Sequence, residues 1–291
     1  MAENKSARVP PERIDEKRLK EIAHRLRKDI LVMLERAGSG HPGGSLSAID
    51  IVLALYSGEL HYDAKNPTWE LRDRFVLSKG HGVPALYAVM AEKGFFAHEQ
   101  LMTLRKLGSP LQGHPANALL PGIEASTGSL GQGLSVAQGI AIAAQLKGSV
   151  EKPAWQVYAL LGDGEVQEGQ VWEVALSAPR HKVTNLTAII DWNKAQIDGT
   201  VDDVMPLGDL RAKWASFGWH VQQVDGHDFG ALRRAFDAAR AETSKPSLIV
   251  ADTVKGKGVP FMEQDIVGWH GKTPNKEELE KALQTLTGGA Q

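Results

Sequence analysis

The spacing of apolar residues near the amino terminus predicts two successive helices. Between residues 15 and 37, leucine, isoleucine and methionine recur at the spacing of one helix face. Gly38 follows, and glycine suits the left-handed backbone conformation that ends many helices. We expect a second helix over residues 45–56, with Ser45 or Ser47 as its N-cap.

Farther along the chain, short apolar runs predict buried β-strands. The runs cover residues 75–77, 157–161, 186–190, 221–224 and 248–250. Helical spacing occurs between most of them, over residues 133–146, 170–178, 210–217 and 229–241. Strands that alternate with helices are typical of a parallel sheet covered on both faces. We therefore predict a doubly wound, mostly parallel α/β fold in one domain over residues 1–291, with residues 1–13 as a flexible amino-terminal segment.

The composition of the chain argues against several classes of function. A formal net charge of −2 gives no general attraction to nucleic acid or to anionic membranes. The sequence contains no cysteine, which excludes disulfides, thiolate nucleophiles and cysteine-based metal sites. Its apolar runs are far shorter than the roughly 18 residues that a membrane-spanning helix needs. We expect a cytoplasmic protein with neither a nucleic-acid partner nor a membrane partner.

Polar residues follow each predicted strand at its carboxyl end. They are Ser78 to His81, Gly162 to Gly164, Asp191 to Asn193, Asp225 to His227, and Asp252 with Thr253. In an open parallel sheet, ligands bind outside the carboxyl ends of the strands. The topology therefore predicts a site at this edge of the sheet.

The segment Gly162-Asp163-Gly164 and the distant Asn193 have the chemistry of a metal-diphosphate site. The glycines let a diphosphate approach the backbone, and Asp163 offers a carboxylate oxygen. Asn193 follows the next strand, so its amide oxygen can meet Asp163, and oxygen ligands suit Mg²⁺ or Ca²⁺. Taken alone, the segment is more often an ordinary turn, with Asn193 as a loop cap.

Nucleotide sites receive little support from the glycine-rich segments. Residues 128–133 have the order G-x-x-G-x-G, which differs from the G-x-G-x-x-G order of dinucleotide-binding proteins. Neither residues 38–43 nor residues 164–169 are followed by the lysine that a P-loop requires. A P-loop is thereby excluded.

Four histidines lie in predicted loops framed by glycine or proline, namely His41, His81, His114 and His270. Histidine moves protons and binds hydroxyl groups near neutral pH, and loops over a rigid sheet are common positions for such residues. We interpret this set as functional. The remaining histidines are interpreted as structural or solvated, namely His24, His61, His98, His181 and His220, with His227 as a turn residue.

These motifs together resemble the transketolases over nearly the whole chain. They are the run around His41, the Ser-Lys-Gly-His run at His81, Gly-Ser-Leu-Gly-Gln-Gly at residues 128–133, Gly-Asp-Gly-Glu-Val-Gln-Glu-Gly at residues 162–169, and Asp-Trp-Asn at Asn193. The Gly-Asp-Gly and distant asparagine are similar to the general thiamine diphosphate signature, and the histidine set is similar to that of transketolase in particular.

The resemblance implies roles for individual residues. Asp163, Asn193 and the backbone carbonyl of Ala195 would hold Mg²⁺ or Ca²⁺. Gly162, Gly164, His81 and His270 would lie at the diphosphate, and Gly128 and Leu130 would border the aminopyrimidine ring. His41, His81, His114 and His270 would bind sugar hydroxyls and assist proton transfer. Glu168 would lie at a subunit interface, linked to the activating glutamate of the neighbouring domain.

The sequence departs from ordinary transketolases in two places. It ends at Gln291 after a predicted terminal helix over residues 277–286, whereas full-length transketolases continue into a pyrimidine-binding domain that supplies the activating glutamate. The resemblance thus implies either a shortened piece of a full-length transketolase or, as the terminal helix favours, a subunit that pairs with a separate pyrimidine-binding chain. In the second case we expect two copies of each chain and sugar-phosphate substrates of the pentose phosphate pathway. Lys255 to Gly258 replaces a threonine-rich segment. The alternatives that remain are a subunit of a deoxyxylulose-phosphate synthase-like enzyme and a non-catalytic cofactor-binding remnant.

Overall fold

The computed structural model describes residues 12–288. Of the predicted flexible segment 1–13, residues 1–11 lie outside this described part. Arg13 lies within it and forms ion pairs with Glu59 and Asp237. Within residues 12–288, no helix is both long and apolar enough to cross a membrane.

The two amino-terminal helices are present, and their ends have clear physical causes. Helix α1 (Glu16–Ala37) begins where the Asp15 side chain accepts a hydrogen bond from the backbone N–H of Arg18, and it ends at Gly38 with φ of 70°. Helix α2 spans Pro42–Tyr56, so the predicted start at residue 45 is wrong. Pro42 occupies the first helical position, where a missing N–H costs nothing.

The predicted serine caps of α2 are also wrong. His41 is the N-cap residue, although its side chain makes no capping hydrogen bond. The hydroxyl of Ser45 instead donates to the carbonyl of His41 at 2.6 Å, and that of Ser47 donates to Asp191 at 2.6 Å. Both serines lie inside the helix and serve other contacts.

The sheet confirms the predicted α/β class. Its strands are β1 (Arg74–Leu77), β2 (Val157–Gly162), β3 (Leu186–Trp192), β4 (His220–Asp225) and β5 (Ser247–Asp252). They are ordered β1-β2-β3-β5-β4, and neighbouring strands pair in parallel. Each strand lies within a few residues of a predicted apolar run. Because neighbouring strands are parallel, all five carboxyl ends lie at one edge of the sheet.

Helices cover both faces of the sheet, as predicted. The further helices are α3 (Val83–Glu92), α4 (Gln132–Lys147), α5 (Gly169–Arg180), α6 (Val201–Val204), α7 (Leu210–Ser216), α8 (Phe229–Ala241), α9 (Pro260–Glu263) and α10 (Lys276–Gly288). Alternate strand residues face opposite layers, as the pleat requires. Phe75 and Leu77 pack in one hydrophobic core with α1, α2, α3 and α8, whereas Val76 packs in a second core with α4, α5 and α7.

Candidate cofactor site

A cavity of about 360 Å³ lies at the carboxyl edge of the sheet. Its walls include all twelve residues that the sequence predicted for the site: His41, His81, His114, Gly128, Leu130, Gly162, Asp163, Gly164, Glu168, Asn193, Ala195 and His270. The loops after β1, β2, β3 and β5 contribute to the cavity, as does the loop before α2. Residues separated by most of the chain thus come together because parallel strands end at a common edge.

Three residues that line the cavity carry oxygen atoms that could coordinate a cation. Asp163 directly follows β2 and is 2% exposed, and its carboxylate accepts hydrogen bonds from the backbone N–H groups of Gly164, at 2.8 Å, and Lys194. Asn193 directly follows β3, and its Oδ1 accepts from the backbone N–H of Ala195 at 3.3 Å. The carbonyl of Ala195 accepts from the Lys255 ammonium at 2.6 Å.

This set of donors fits a hard divalent cation better than zinc. Carboxylate, amide and carbonyl oxygens are the protein ligands that Mg²⁺ and Ca²⁺ prefer. Within residues 12–288, no group of three or more histidine, cysteine, aspartate or glutamate side chains could hold a metal ion. Among the same residues, Gln196 lines the cavity and its Oε1 is buried without a hydrogen-bond partner, so this oxygen still has its acceptor capacity unused.

The surroundings of Asp163 also fit a bound cation. Burial and the charge of Asp191 raise the pKa of Asp163 to about 6, although two backbone N–H groups oppose this shift. Ionisation of a buried carboxyl group is costly in the isolated protein, but it becomes favourable when a cation is coordinated to the carboxylate. Binding of a cation here would therefore be coupled to ionisation of Asp163.

Two buried lysines supply positive charge to the cavity, and neither of them was predicted from the sequence as a site residue. Lys79 and Lys255 are each 1% exposed and line the cavity. Lys79 donates to Asp191 at 2.5 Å and to the carbonyl of Gly44 at 2.9 Å. Burial lowers the pKa of Lys255 to about 8, while the charge of Asp163 acts in the opposite direction. Their positions in the loops that follow β1 and β5 were the available signal.

The four predicted histidines form one cluster on the cavity wall. The ring centroids of His41 lie 5.2 Å from His81 and 5.6 Å from His270, and those of His81 and His270 are stacked at 5.3 Å. His114 lies 6.4 Å from His41. These separations place all four imidazoles within reach of one small ligand.

The histidine cluster is uncharged at neutral pH. Burial, followed by the charge of Arg105, lowers the pKa of His41 to about 4. Burial and the Lys255 ammonium lower the pKa of His270 to about 3, and burial likewise lowers the pKa of His81 and His114. Neutral imidazole has one donor and one acceptor nitrogen, which suits contacts with hydroxyl groups. Nδ1 of His41 is buried without a partner among residues 12–288.

Glu165 connects the loops that form the cavity, and no role for it was predicted from the sequence. Its carboxylate accepts hydrogen bonds from the Ser78 hydroxyl at 2.5 Å and from the backbone N–H groups of Gly131 and Gly162, each at 3.0 Å. One side chain thus joins the segments after β1 and β2 to the start of α4. Glu168, in contrast, is exposed at the cavity rim.

The remaining histidines lie away from this cavity. His227 bonds through Nδ1 to Asp50 at 2.7 Å and accepts through Nε2 from the backbone N–H of Val254 at 2.9 Å. It therefore has a structural role in addition to its position in a turn. His61 and His98 pair with Asp73 and Asp29, respectively.

Comparisons with known proteins agree with the fold and identify the family. The family model described as transketolase, thiamine diphosphate binding domain, matches residues 18–289. A 6-deoxy-6-sulfo-D-fructose transketolase subunit of Clostridium sp. (strain MSTE9) is 43% identical over 91% of this chain and 94% of its own length. An apulose-4-phosphate transketolase subunit of Phocaeicola vulgatus is 41% identical over 90% and 91% of the two lengths.

Whole transketolases match over only part of their length. Human transketolase is 40% identical over 92% of this chain but only 42% of its own length. The crystal structure of transketolase from Campylobacter jejuni superposes with a TM-score of 0.87 at 35% identity, and covers 94% of this chain and 43% of that one. The chain belongs to the transketolase family and corresponds to the thiamine diphosphate binding domain of those enzymes.

Proposed function

We propose that this chain is the cofactor-binding subunit of a two-subunit transketolase. It would hold the diphosphate and metal of thiamine diphosphate and, with a separate pyrimidine-binding subunit, transfer a two-carbon ketol unit from a ketose phosphate to an aldose phosphate. The observation that carries the proposal is one cavity lined by two sets of groups. Asp163, Asn193 and Ala195 offer oxygen ligands, and we call them the metal wall; His41, His81, His114 and His270, each with a lowered pKa, form what we call the histidine wall.

The metal wall has the charge that a magnesium diphosphate group requires. Asp163, Asn193 and the carbonyl of Ala195 would ligate the cation. The ammonium groups of Lys79 and Lys255 line the same cavity and would offset the negative charge of the diphosphate. The cofactor would supply the electron sink for carbon–carbon bond cleavage, and the protein supplies binding, orientation and proton transfer.

The histidine wall suits the hydroxyl groups of a sugar. Lys255 donates to Nδ1 of His270 at 2.7 Å, so neutral His270 carries its proton on Nε2 and presents a donor there. His41 lines the same cavity, and its buried Nδ1 has no hydrogen-bond partner among residues 12–288. His41, His81, His114 and His270 would therefore orient the sugar and pass protons between its oxygens.

An apolar rim beside the cavity suits a partner subunit. Ile197, Val204 and Met205 are 63%, 40% and 57% exposed, and they follow the Ala195 ligand position along the chain. Glu168 lies exposed at the cavity rim, where the family places a link to the activating glutamate of the neighbouring domain. The match to two transketolase subunits over more than 90% of their length supports a separate partner chain. We propose two copies of each chain in the assembly, located in the cytoplasm.

Asp163→Ala tests the cofactor site in the isolated chain. Loss of an outer contact to a metal ligand typically weakens metal binding about 10- to 100-fold, so removal of the ligand itself should cost at least about 100-fold. Isothermal titration with thiamine diphosphate at fixed Mg²⁺ measures the loss, and circular dichroism verifies the fold. Asp202→Ala, at an exposed carboxylate in α6, is the matched control. Equal binding by both variants would remove the metal assignment.

Activity of the isolated chain tests the two-subunit proposal. Typical enzymes turn over at about 1–1,000 s⁻¹, and the chain with thiamine diphosphate and Mg²⁺ should fall far below that range until a pyrimidine-binding subunit is added. Ketol transfer at an ordinary rate by the chain alone would contradict the proposal. Assays of the reconstituted pair with xylulose 5-phosphate and with pyruvate distinguish a transketolase from a deoxyxylulose-phosphate synthase-like enzyme. An inactive pair that still binds the cofactor would indicate a non-catalytic remnant.

A further inference from the structure

Asp191 is a fully buried carboxylate behind the metal wall of the cavity. It lies near the end of β3 with an exposed fraction of 0%. Four side chains donate hydrogen bonds to it: Lys79 at 2.5 Å, Ser47 at 2.6 Å, Asn193 at 3.2 Å, and Thr253. These donors come from the loop after β1, from α2, from the loop after β3 and from the loop after β5. The position of the Asp191 carboxylate is thus determined from four parts of the fold.

The contact with Asn193 determines which way its amide group points. A carboxylate accepts hydrogen bonds but does not donate them, so the Asn193 atom that faces Asp191 Oδ2 must be the NH₂ nitrogen. The carbonyl oxygen of the same amide then faces the other way. It accepts from the backbone N–H of Ala195, whose own carbonyl is one of the three oxygens of the metal wall.

We propose that Asp191 is a positioning residue for the divalent cation, and that it acts by orienting the Asn193 amide so that Oδ1 faces the metal. The inference rests on the proposed cofactor site, because it assigns Asn193 as a ligand. Lys79, Ser47 and Thr253 hold the carboxylate in place, and the carboxylate holds the amide. An outer contact of this kind fixes the geometry of a ligand before the metal arrives.

A second role for Asp191 is visible in the structure, and the experiment must separate the two. Lys79 is buried, and Asp191 is its ion-pair partner. Removal of the carboxylate charge therefore also leaves a buried ammonium without its counter-ion. A purely structural ion pair would affect folding and cofactor binding through Lys79, without acting through Asn193.

A double-mutant cycle between Asp191→Asn and Asn193→Ala isolates the proposed route. The readout is Mn²⁺ affinity at saturating thiamine diphosphate, obtained from the electron paramagnetic resonance signal of free Mn²⁺, so that it does not depend on catalysis. Asp191→Asn leaves a single acceptor oxygen where four side chains donate, so it should weaken the hold on the Asn193 amide and lower Mn²⁺ affinity about 10- to 100-fold, the usual effect of disturbing such an outer contact. In the Asn193→Ala background the same change should alter affinity less than about 3-fold, because the amide that it orients is gone.

The outcomes separate this proposal from the proposed function. If Asn193→Ala weakens Mn²⁺ binding and Asp191→Asn adds its full effect on top, Asp191 does not act through the amide and the proposal fails, while the metal assignment stands. If Asn193→Ala leaves the affinity unchanged, the metal assignment fails and this proposal fails with it.

Thr253→Val keeps the proposal testable if Asp191→Asn does not fold. Thr253 is 5% exposed and donates to Oδ1 of Asp191, and valine has a similar shape without the hydroxyl. The ion pair with Lys79 remains in this variant. We expect a loss of Mn²⁺ affinity of roughly 3- to 10-fold that disappears in the Asn193→Ala background, because removal of one of several supporting contacts should cost less than removal of the carboxylate itself. A loss that persists in that background would overturn the proposal.

Discussion

Two glycines in α4 should respond in opposite ways to the same substitution. Gly133 lies in the first turn, where an added Cβ would be 2.7 Å from both Cα and Cβ of Ser78 and 2.5 Å from its hydroxyl. Carbon atoms normally pack at about 3.5–4.0 Å, so Ser78 would have to move by roughly 1 Å. It is held by a 2.8 Å hydrogen bond from its backbone N–H to Leu160 and by the Glu165 contact. Gly139, in the same helix, has open space around its Cβ position.

The difference between the two variants measures the close approach of α4 to Ser78. Replacing helical glycine by alanine gains about 1 kcal/mol in propensity at either site, so Gly139→Ala should stabilise the chain by about that amount. Forced packing at Gly133 costs about 1–3 kcal/mol or more against the same gain. The variants should thus differ by about 1–3 kcal/mol, which corresponds to roughly 2–5 °C in melting temperature for a chain of this size.

Urea and thermal unfolding of the isolated chain, followed by circular dichroism, measure this difference. Gly133→Ala should also weaken cofactor binding, because Ser78 precedes Lys79 in the cavity wall. Gly139→Ala should leave cofactor binding unchanged. Equal stabilisation by both substitutions would mean that α4 does not approach Ser78 closely.

Three further predictions concern the cofactor and the partner. Lys255→Met should weaken binding of magnesium thiamine diphosphate about 10- to 100-fold, as measured by calorimetry, because hydrogen bonds to charged groups contribute about 1.5–3 kcal/mol. Unchanged affinity would mean that the diphosphate does not contact the Lys255 ammonium. Metal-dependent cofactor affinity should be highest between about pH 7 and pH 8. It should fall by up to about tenfold per pH unit below about pH 6, because the raised pKa of Asp163 requires a proton to leave before the metal binds, and it should fall above about pH 8 as Lys255, whose pKa is lowered to about 8, loses its charge. Calorimetry across pH with Asp163→Asn as reference measures the fall on the acid side, and equal pH profiles below about pH 7 would contradict it. Ile197→Glu and Met205→Glu should each weaken partner binding at least about 30-fold by biolayer interferometry, since a central apolar contact contributes about 2 kcal/mol or more. Leu71→Glu, just before the amino-terminal end of β1, is the control, and equal losses in all three variants would contradict a partner interface at Ile197 and Met205.

The spacing of apolar residues predicted most helices and strands of the fold well, and the helices that it missed or misplaced have physical explanations. Helix α8 occupies the predicted residues, because its apolar stripe faces the core on one side only. Helix α3 was missed because its residues from Val83 to Ala91 are all buried, and a helix that is apolar all round has no period to detect. The start of α2 was misplaced because Pro-Gly-Gly is typical of loops. An added Cβ at Gly43 would lie 2.7 Å from the carbonyl of Trp269, so the close packing of α2 requires glycine there.

The candidate site was predictable where a local motif contains the chemistry, and less so where a partner is distant in sequence. Asp163 and the loop histidines stood out because turn residues frame them after strands. Lys79 and Asp191 did not, because their ion pair joins the segment after β1 to the end of β3, and these lie far apart in the sequence. Lys255 was noted only as a departure from the family pattern, yet it contacts Ala195 and His270 in the cavity.

The buried charges explain why the cavity should bind metal and diphosphate together rather than either alone. Asp163 resists ionisation because it is buried and near Asp191, and Lys255 resists protonation because it is buried near Lys79. A cation alone would meet both ammonium groups, and a diphosphate alone would meet the Asp163 carboxylate. If the two arrived together, the cation would lie against Asp163 and the phosphate oxygens against the lysines, so each ligand would remove the repulsion that opposes the other. A coupling free energy between the two ligands would follow from this arrangement, and it would be reciprocal. On the proposed assignment, selectivity for a metal-bound diphosphate would therefore come from side chains that are costly to charge one at a time.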